Sequence, residues 1–197
     1  MQNKRLVIKK VLLILTLLAP TSVFAQTVYP TEFSNNQPLV YRDANGNYNG
    51  CGVRTVFMTD VPKPTHMGDV SMNIFKLPQG QTVGMAKVGY VYIPDIKDPT
   101  NTKRVPITSF MMANSSGKAA KMLAIKPSDD KDALISTTVE EDAFNFIVDI
   151  TTGKIVQVGV QLPSEKTLRI FSMKPSAMSK EEADQLISCL RQIDQSK

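Results

Sequence analysis

Two cysteines, Cys51 and Cys189, are the only ones in 197 residues, and whether they are joined decides what the chain between them can fold into. The first 25 residues answer this. Lys4, Arg5, Lys9 and Lys10 make a cationic start, residues 11–19 (VLLILTLLA) are apolar, and Val23 and Ala25 stand at the −3 and −1 positions of a signal-peptidase cut. The apolar stretch is far short of the roughly 20 residues of a bilayer span. The sequence therefore predicts a signal peptide over 1–25, cleaved after Ala25, and a mature chain 26–197 in the bacterial periplasm without membrane insertion. In that oxidising compartment Cys51 and Cys189 are expected to form one disulfide. Such a long loop is worth on the order of 5 kcal/mol in the chain-entropy model, and it clasps the last element of the chain to an early strand.

The formal charge of +5 reflects 23 basic and 18 acidic side chains, and four of the basic ones belong to the leader. The mature chain is nearly neutral. A nucleic-acid partner needs clustered Lys and Arg on the folded domain, and Lys103-Arg104 is too short a run to provide that.

Most of the mature chain alternates short apolar stretches with turn residues, as antiparallel β proteins do. Strands are predicted near 52–59, 69–77, 82–93, 104–113, 119–126, 132–139, 143–150, 154–162 and 167–174, with 26–38 an extended leader. The central hairpin is expected at AFNFIVDI-TTGK-IVQVGVQL. There Phe144, Phe146, Val148 and Ile150 share one face, as do Val156, Val158, Val160 and Leu162, and Gly153 supplies the turn. Segment 82–93 is apolar on both faces, so it belongs at the centre of a sandwich or beneath a helix.

One helix is predicted, over 180–194. Ser179 and Glu182 have capping-box spacing, and Glu181, Glu182 and Asp184 load the positive end of the dipole. Ala183, Leu186, Ile187, Leu190 and Ile193 form the buried stripe, with Cys189 at its border. The expected fold is mainly β: one domain, an antiparallel sandwich-like or curled sheet with a C-terminal helix packed on it.

Candidate chemistry is sparse. DANGNYNG (43–50) begins like a calcium loop, but Tyr48 stands where that loop needs glycine and Arg54 where it needs a bidentate glutamate, so an Asn-Gly turn explains it. SSGK (115–118) and SDDK (128–131) match S-x-x-K, whose lysine needs a dry pocket to act as a base. His66, the one histidine, lies in a proline-rich connection and reads as exposed; with Met67 and Met72 it could join only a soft-metal site. Glu140, Glu141 and Asp142 read as a solvated turn.

These features point to binding rather than catalysis, with no metal or cofactor. The expectation is a non-enzymatic protein-binding module: an accessory factor of an envelope or secretion assembly, or an inhibitor or immunity-type protein. Its partner would be another periplasmic or envelope protein. A Ser/Lys hydrolase and a carrier of a small apolar ligand are the alternatives. The loops around 94–103 and 114–118, with Asp95, Lys97, Asp98, Asn114 and Lys118, are the expected contact surface, and Tyr41 and Tyr48 the expected anchors, since tyrosine offers large contact area at low entropic cost.

Overall fold

The computed structural model describes residues 28–59, 65–95 and 97–195. The predicted signal peptide lies outside them. Among the described residues eleven strands form two sheets: β1 Val28–Pro30, β2 Phe33–Arg42, β3 Tyr48–Thr59, β4 Thr65–Lys76, β5 Thr82–Ile93, β6 Lys103–Arg104, β7 Ser109–Ala113, β8 Met122–Pro127, β9 Leu134–Thr138, β10 Val156–Gln161 and β11 Arg169–Met173. The larger sheet runs β2-β3-β4-β5-β9-β8, with β6 paired to the far half of β5; the smaller runs β1-β11-β10-β7. All pairings are antiparallel except β1 with β11. Helix α1 spans Glu140–Thr151 and α2 spans Lys180–Gln195.

The two-residue period sorts β3, β4 and β5 into an inner and an outer face. Val53, Met72 and Ala86 stand in one inward row, Val70 and Val88 in the next, all buried. The smaller sheet packs over this face through Phe171, whose ring lies 5.3 Å from Phe57 and 5.8 Å from Tyr90. Helix α1 covers β4 and β5, and α2 covers β2 and β3. A mainly β, sandwich-like body with a C-terminal helix is thus what the chain forms.

The disulfide joins Cys51 of β3 to Cys189 of α2 with Cα atoms 6.0 Å apart and both residues fully buried. The capping box closes as expected: the Ser179 N–H donates to Glu182 Oε2 at 3.0 Å and the Glu182 N–H to Ser179 Oγ at 3.3 Å. The buried stripe differs by one position. Leu186, Cys189 and Ile193 are buried while Ile187 is exposed, so the cysteine sits at the centre of the stripe.

Residues 143–150 are not a strand. They lie in α1, and the expected hairpin does not exist: β10 pairs with β7 and β11 instead. Ala143, Phe146, Ile147 and Ile150 are buried at helical spacing, leaving Phe144 exposed. The acidic run 140–142 is the first turn of this helix, where the dipole favours anions. Gly153 has φ 71° and closes the helix, its N–H bonding the Ile150 carbonyl and the Lys154 N–H that of Asp149. The glycine read as a hairpin turn is a helix stop.

Three smaller expectations are also revised. The leader contributes β1 and the edge strand β2, whose Pro38 is tolerated because an edge needs no second set of donors. The predicted strand 104–113 is split, β6 lying in the larger sheet and β7 in the smaller. His66 is a buried β4 residue: it is 5% exposed, its Nδ1 is 2.7 Å from the Tyr90 hydroxyl, and the two rings stack.

The seat of α1 on β5 is tight, since a Cβ on Gly84 would fall 2.7 Å from Ala143 Cβ and 2.6 Å from Thr138 Cγ2. We expect Gly84→Ala to cost about 1 to 3 kcal/mol by overpacking, and Cys189→Ala about 2 to 5 kcal/mol. Urea midpoints at constant slope measure both, and the second loss should disappear when wild type and variant are compared under reducing conditions.

Candidate functional site

The outer face of the larger sheet is not a plain solvated surface. Leu39, Tyr41, Arg54, alternate residues of β4 from Met67 to Phe75 and of β5 from Met85 to Val91, with Arg104, Asp130, Ala133 and Ile135, line a trough of about 620 Å³. Strand register orders its floor. Tyr41, Gly50 and Phe75 make the first row; Leu39, Gly52, Asn73 and Met85 the second; Arg54, Ser71 and Lys87 the third; Asp69 and Gly89 the fourth; Met67 and Val91, beside Arg104, the last. From Phe75 to Met67 the trough follows β4 for about 26 Å at roughly 3.3 Å per residue.

One end is apolar, the middle is charged, and the other end sets Met67 and Val91 beside Arg104. At one end the Tyr41 and Phe75 rings meet at 4.9 Å over Gly50, and burial raises the Tyr41 phenol above its ordinary pKa. In the middle Arg54 grips Asp69 in bidentate fashion, Nε to Oδ1 at 2.8 Å and Nη2 to Oδ2 at 2.6 Å. The hydrogen bonds and charge of Asp69 raise the Arg54 pKa. Lys87 pairs with Asp130, and its hydrogen bond and charge lower the Asp130 pKa. Arg104 Nη1 donates to the Lys131 carbonyl at 3.1 Å. These pairs are half exposed and worth little as stability. They fix the positions of the charges.

Two features of the floor stand out. Asn73 is 4% exposed and its Oδ1, lying over Gly52, has no hydrogen-bond partner. A buried amide oxygen without a donor costs about 1 to 3 kcal/mol relative to a satisfied one. Gly89 leaves open space, because a Cβ there would meet nothing closer than 3.8 Å.

Of the expected contact residues only Tyr41 lies on the trough. Tyr48 sits under the Arg42 guanidinium, 3.8 Å away, and lines a separate recess with Asp43, Asn49 and Gln192. Asp95 and Asp98 accept from the N–H groups of Lys97 and Thr100, shaping the loop at the opposite end of β5. Asn114 Oδ1 accepts from the N–H groups of Ser116 and Lys118, closing a turn beside α1. These positions occupy three separate places. The trough's Arg54, Asp69, Lys87, Phe75, Asn73, Arg104 and Asp130 were missed by sequence reasoning; the available signal was the charge interrupting the outward row of each apolar strand.

DANGNYNG and SSGK each form a turn. Asp43 of DANGNYNG accepts from the N–H groups of Asn45 and Asn47 and closes the β2–β3 turn, with Gly46 at φ 83°. Lys118 of SSGK pairs with Asp142 at 3.0 Å, and the hydrogen bond and charge of that carboxylate raise its pKa, the opposite of what a lysine base requires. His66 and Met72 face inward while Met67 faces the trough, so the three do not converge. Among the described residues no three His, Cys, Asp or Glu side chains gather as a metal site.

No family model matches the chain, and neither a curated protein nor a solved structure matches it.

Two α1 carboxylates tie down the segment after β7: Asp142 accepts from the Lys121 N–H at 2.9 Å and Asp149 from the Ser115 N–H at 2.8 Å. The Lys121 bond, with help from Lys118, lowers the Asp142 pKa against the effect of burial. At Asp149 burial pushes upward, and the Ser115 and Lys154 contacts together outweigh it. A carboxyl whose folded pKa is depressed adds stability that is complete above its unfolded value, near 3.9, and lost as pH falls through the lower folded value. We therefore expect urea midpoints to decline below about pH 4, and Asp142→Asn to be less stable at pH 6 with a shallower acid decline.

Proposed function

We propose that this chain is an exported, non-catalytic binding protein of the bacterial periplasm that holds a segment of another protein in the trough on the outer face of its larger sheet. The observation that carries the reading is the trough itself. A sheet face turned to water ordinarily shows polar side chains, whereas here half-buried aromatic and aliphatic groups line a continuous channel with fixed, paired charges at its centre. Strand-lined channels of this length suit an extended polypeptide, whose alternate side chains can be read along them.

The Cys51–Cys189 disulfide fits an oxidising compartment, and the leader of residues 1–25 has the charge and hydropathy of an export signal. Among the described residues no helix is long and apolar enough to cross a membrane. The paired Arg54 and Lys87 disfavour a wholly apolar small ligand, which would have to cover them without offering a polar partner.

Gly89→Trp tests the reading, because its side chain would fill the trough without a clash at Cβ. We expect wild-type protein to capture one stoichiometric partner from a periplasmic extract, and Gly89→Trp to lose it at an unchanged urea midpoint. Equal capture by both proteins, or no partner at all, would count against the trough.

A further inference from the structure

The floor of the trough holds one polar group that the fold leaves unused. Asn73, two residues from Phe75 on the outward row of β4, is 4% exposed. Its Nδ2 donates to Ser71 Oγ at 3.3 Å, while its Oδ1 is shut off from solvent with no hydrogen-bond partner. The oxygen lies where a Cβ on residue 52 would stand, so the absence of a side chain at Gly52 is what lets the amide rest there. Two other side-chain oxygens among the described residues, Asn49 Oδ1 and Thr138 Oγ1, are buried without a partner, and neither lines the trough. The cations of the trough, by contrast, each have a partner within the chain: Arg54 on Asp69, Lys87 on Asp130 and Arg104 on the Lys131 carbonyl.

Resting on the reading that the trough holds an extended polypeptide, we propose that Asn73 Oδ1 is the acceptor that selects its occupant: a segment with an apolar side chain at the Tyr41–Phe75 end and, two residues along, an amide or hydroxyl side chain that donates to Asn73. The spacing follows from strand geometry. Alternate side chains of an extended chain stand about 7 Å apart on one face, the same interval that separates Phe75 from Asn73 along β4. The ring pair and the amide therefore act as one end of the trough, read by adjacent outward side chains of the same occupant.

The energetics favour a neutral donor. A hydrogen bond ordinarily adds little because both partners give up water to make it, but Oδ1 is already out of contact with solvent, so the cost of drying it has been met on folding. An incoming donor gains more here than at a wet acceptor. A lysine or arginine would instead leave water for a single neutral oxygen, which does not repay the desolvation of a charge. The amide is free to respond, since its side chain has one long hydrogen bond, to Ser71, and rotation about its side-chain bonds lifts the oxygen off Gly52 toward a donor above it.

The probe is a pair of capped, labelled peptides of about nine residues, long enough to follow the trough. Both consist of alanine and glycine around a central phenylalanine. One has asparagine two residues to either side of it, so that either chain direction presents a donor, and the other has leucine there. By fluorescence anisotropy the wild-type chain should bind the asparagine peptide about tenfold more tightly than the leucine peptide. Asn73→Leu and Asn73→Ala should each abolish that preference, and Asn73→Leu should do so without lowering the urea midpoint, because it removes an unsatisfied amide. Gly89→Trp should weaken both peptides alike. Equal binding of the two peptides by wild type, with Gly89→Trp still weakening both, overturns the role of Asn73 and leaves the trough reading standing. A preference that survives both Asn73 substitutions overturns it as well. Binding that Gly89→Trp leaves unchanged, or no binding of either peptide by wild type, overturns the proposal together with the reading on which it rests.

Discussion

The inward rows of β3, β4 and β5 must be kept from water, and the rest of the fold is arranged around that requirement. Val53, Phe57, Val70, Met72, Val88 and Tyr90 present a continuous apolar face, each worth about 1.5 to 3 kcal/mol when buried. No single element covers it. The smaller sheet closes one part through Phe171, α1 closes the part over β4 and β5, and α2 the part over β2 and β3. Of these three covers α2 is the one with least intrinsic reason to stay, being a terminal amphipathic helix with a narrow buried stripe. The disulfide removes that freedom. Cys51 itself belongs to the inner face, so the cross-link is part of the core and acts by restricting the unfolded chain, in which the last helix would otherwise wander far from β3.

How far this was legible in the sequence depends on whether one residue pattern admits one period or two. Helix α2 was readable because Ser179, Glu182, Leu186 and Ile193 agree on cap, dipole and stripe, and β5 because a β-branched and aromatic run, apolar on both faces, fits a covered central strand. Residues 143–150 satisfy both periods: Phe144, Phe146, Val148 and Ile150 fit a strand, while Ala143, Phe146, Ile147 and Ile150 fit a helix. Two signals would have decided it. Three consecutive acids at 140–142 are favourable on a helix's first turn and gain nothing in a solvated turn, and a glycine directly after two threonines stops a helix as readily as it turns a hairpin. His66 shows the complementary failure. Its proline-rich neighbours suggested a connection, but the polar contact that lets it be buried, the Tyr90 hydroxyl, lies 24 residues away in sequence. Only the β4–β5 register brings the two together. Burial in turn raises the Tyr90 phenol to about 12, so it remains a neutral hydrogen-bonding partner throughout the physiological range.

The trough was illegible for a similar reason. Its lining comes from β2, β3, β4, β5, β6, β9 and the turn before β9, and no stretch of sequence contains more than one wall of it. What each strand does show is an outward residue out of keeping with its apolar neighbours: Arg54 in β3, Asp69 in β4 and Lys87 in β5. Taken singly, such residues are the ordinary solvated side of a strand. Set in register they form adjacent rows, and Gly50, Gly52 and Gly89 lower the floor between them so that Phe75 and Asn73 can lie flat in the first two places while the third stays open.

That arrangement constrains what the trough can discriminate. Arg54 and Lys87 each already hold a carboxylate, so an occupant that brings a second carboxylate to the middle rows competes with Asp69 or Asp130 and gains less than it would at an unpaired cation. The middle of the channel is therefore a poor place to select by charge. The ends are different. At Tyr41 and Phe75 an apolar side chain gains contact area without breaking any bond, and at Arg104, whose guanidinium donates to a backbone carbonyl, an added acceptor forms a charge-assisted bond without separating a pair. On the binding reading, selectivity rests on those two points about 26 Å apart along β4. On the same reading the paired charges between them would act as a spacer, tolerating many sequences but not a segment too short, or too bulky over Gly89, to reach both ends.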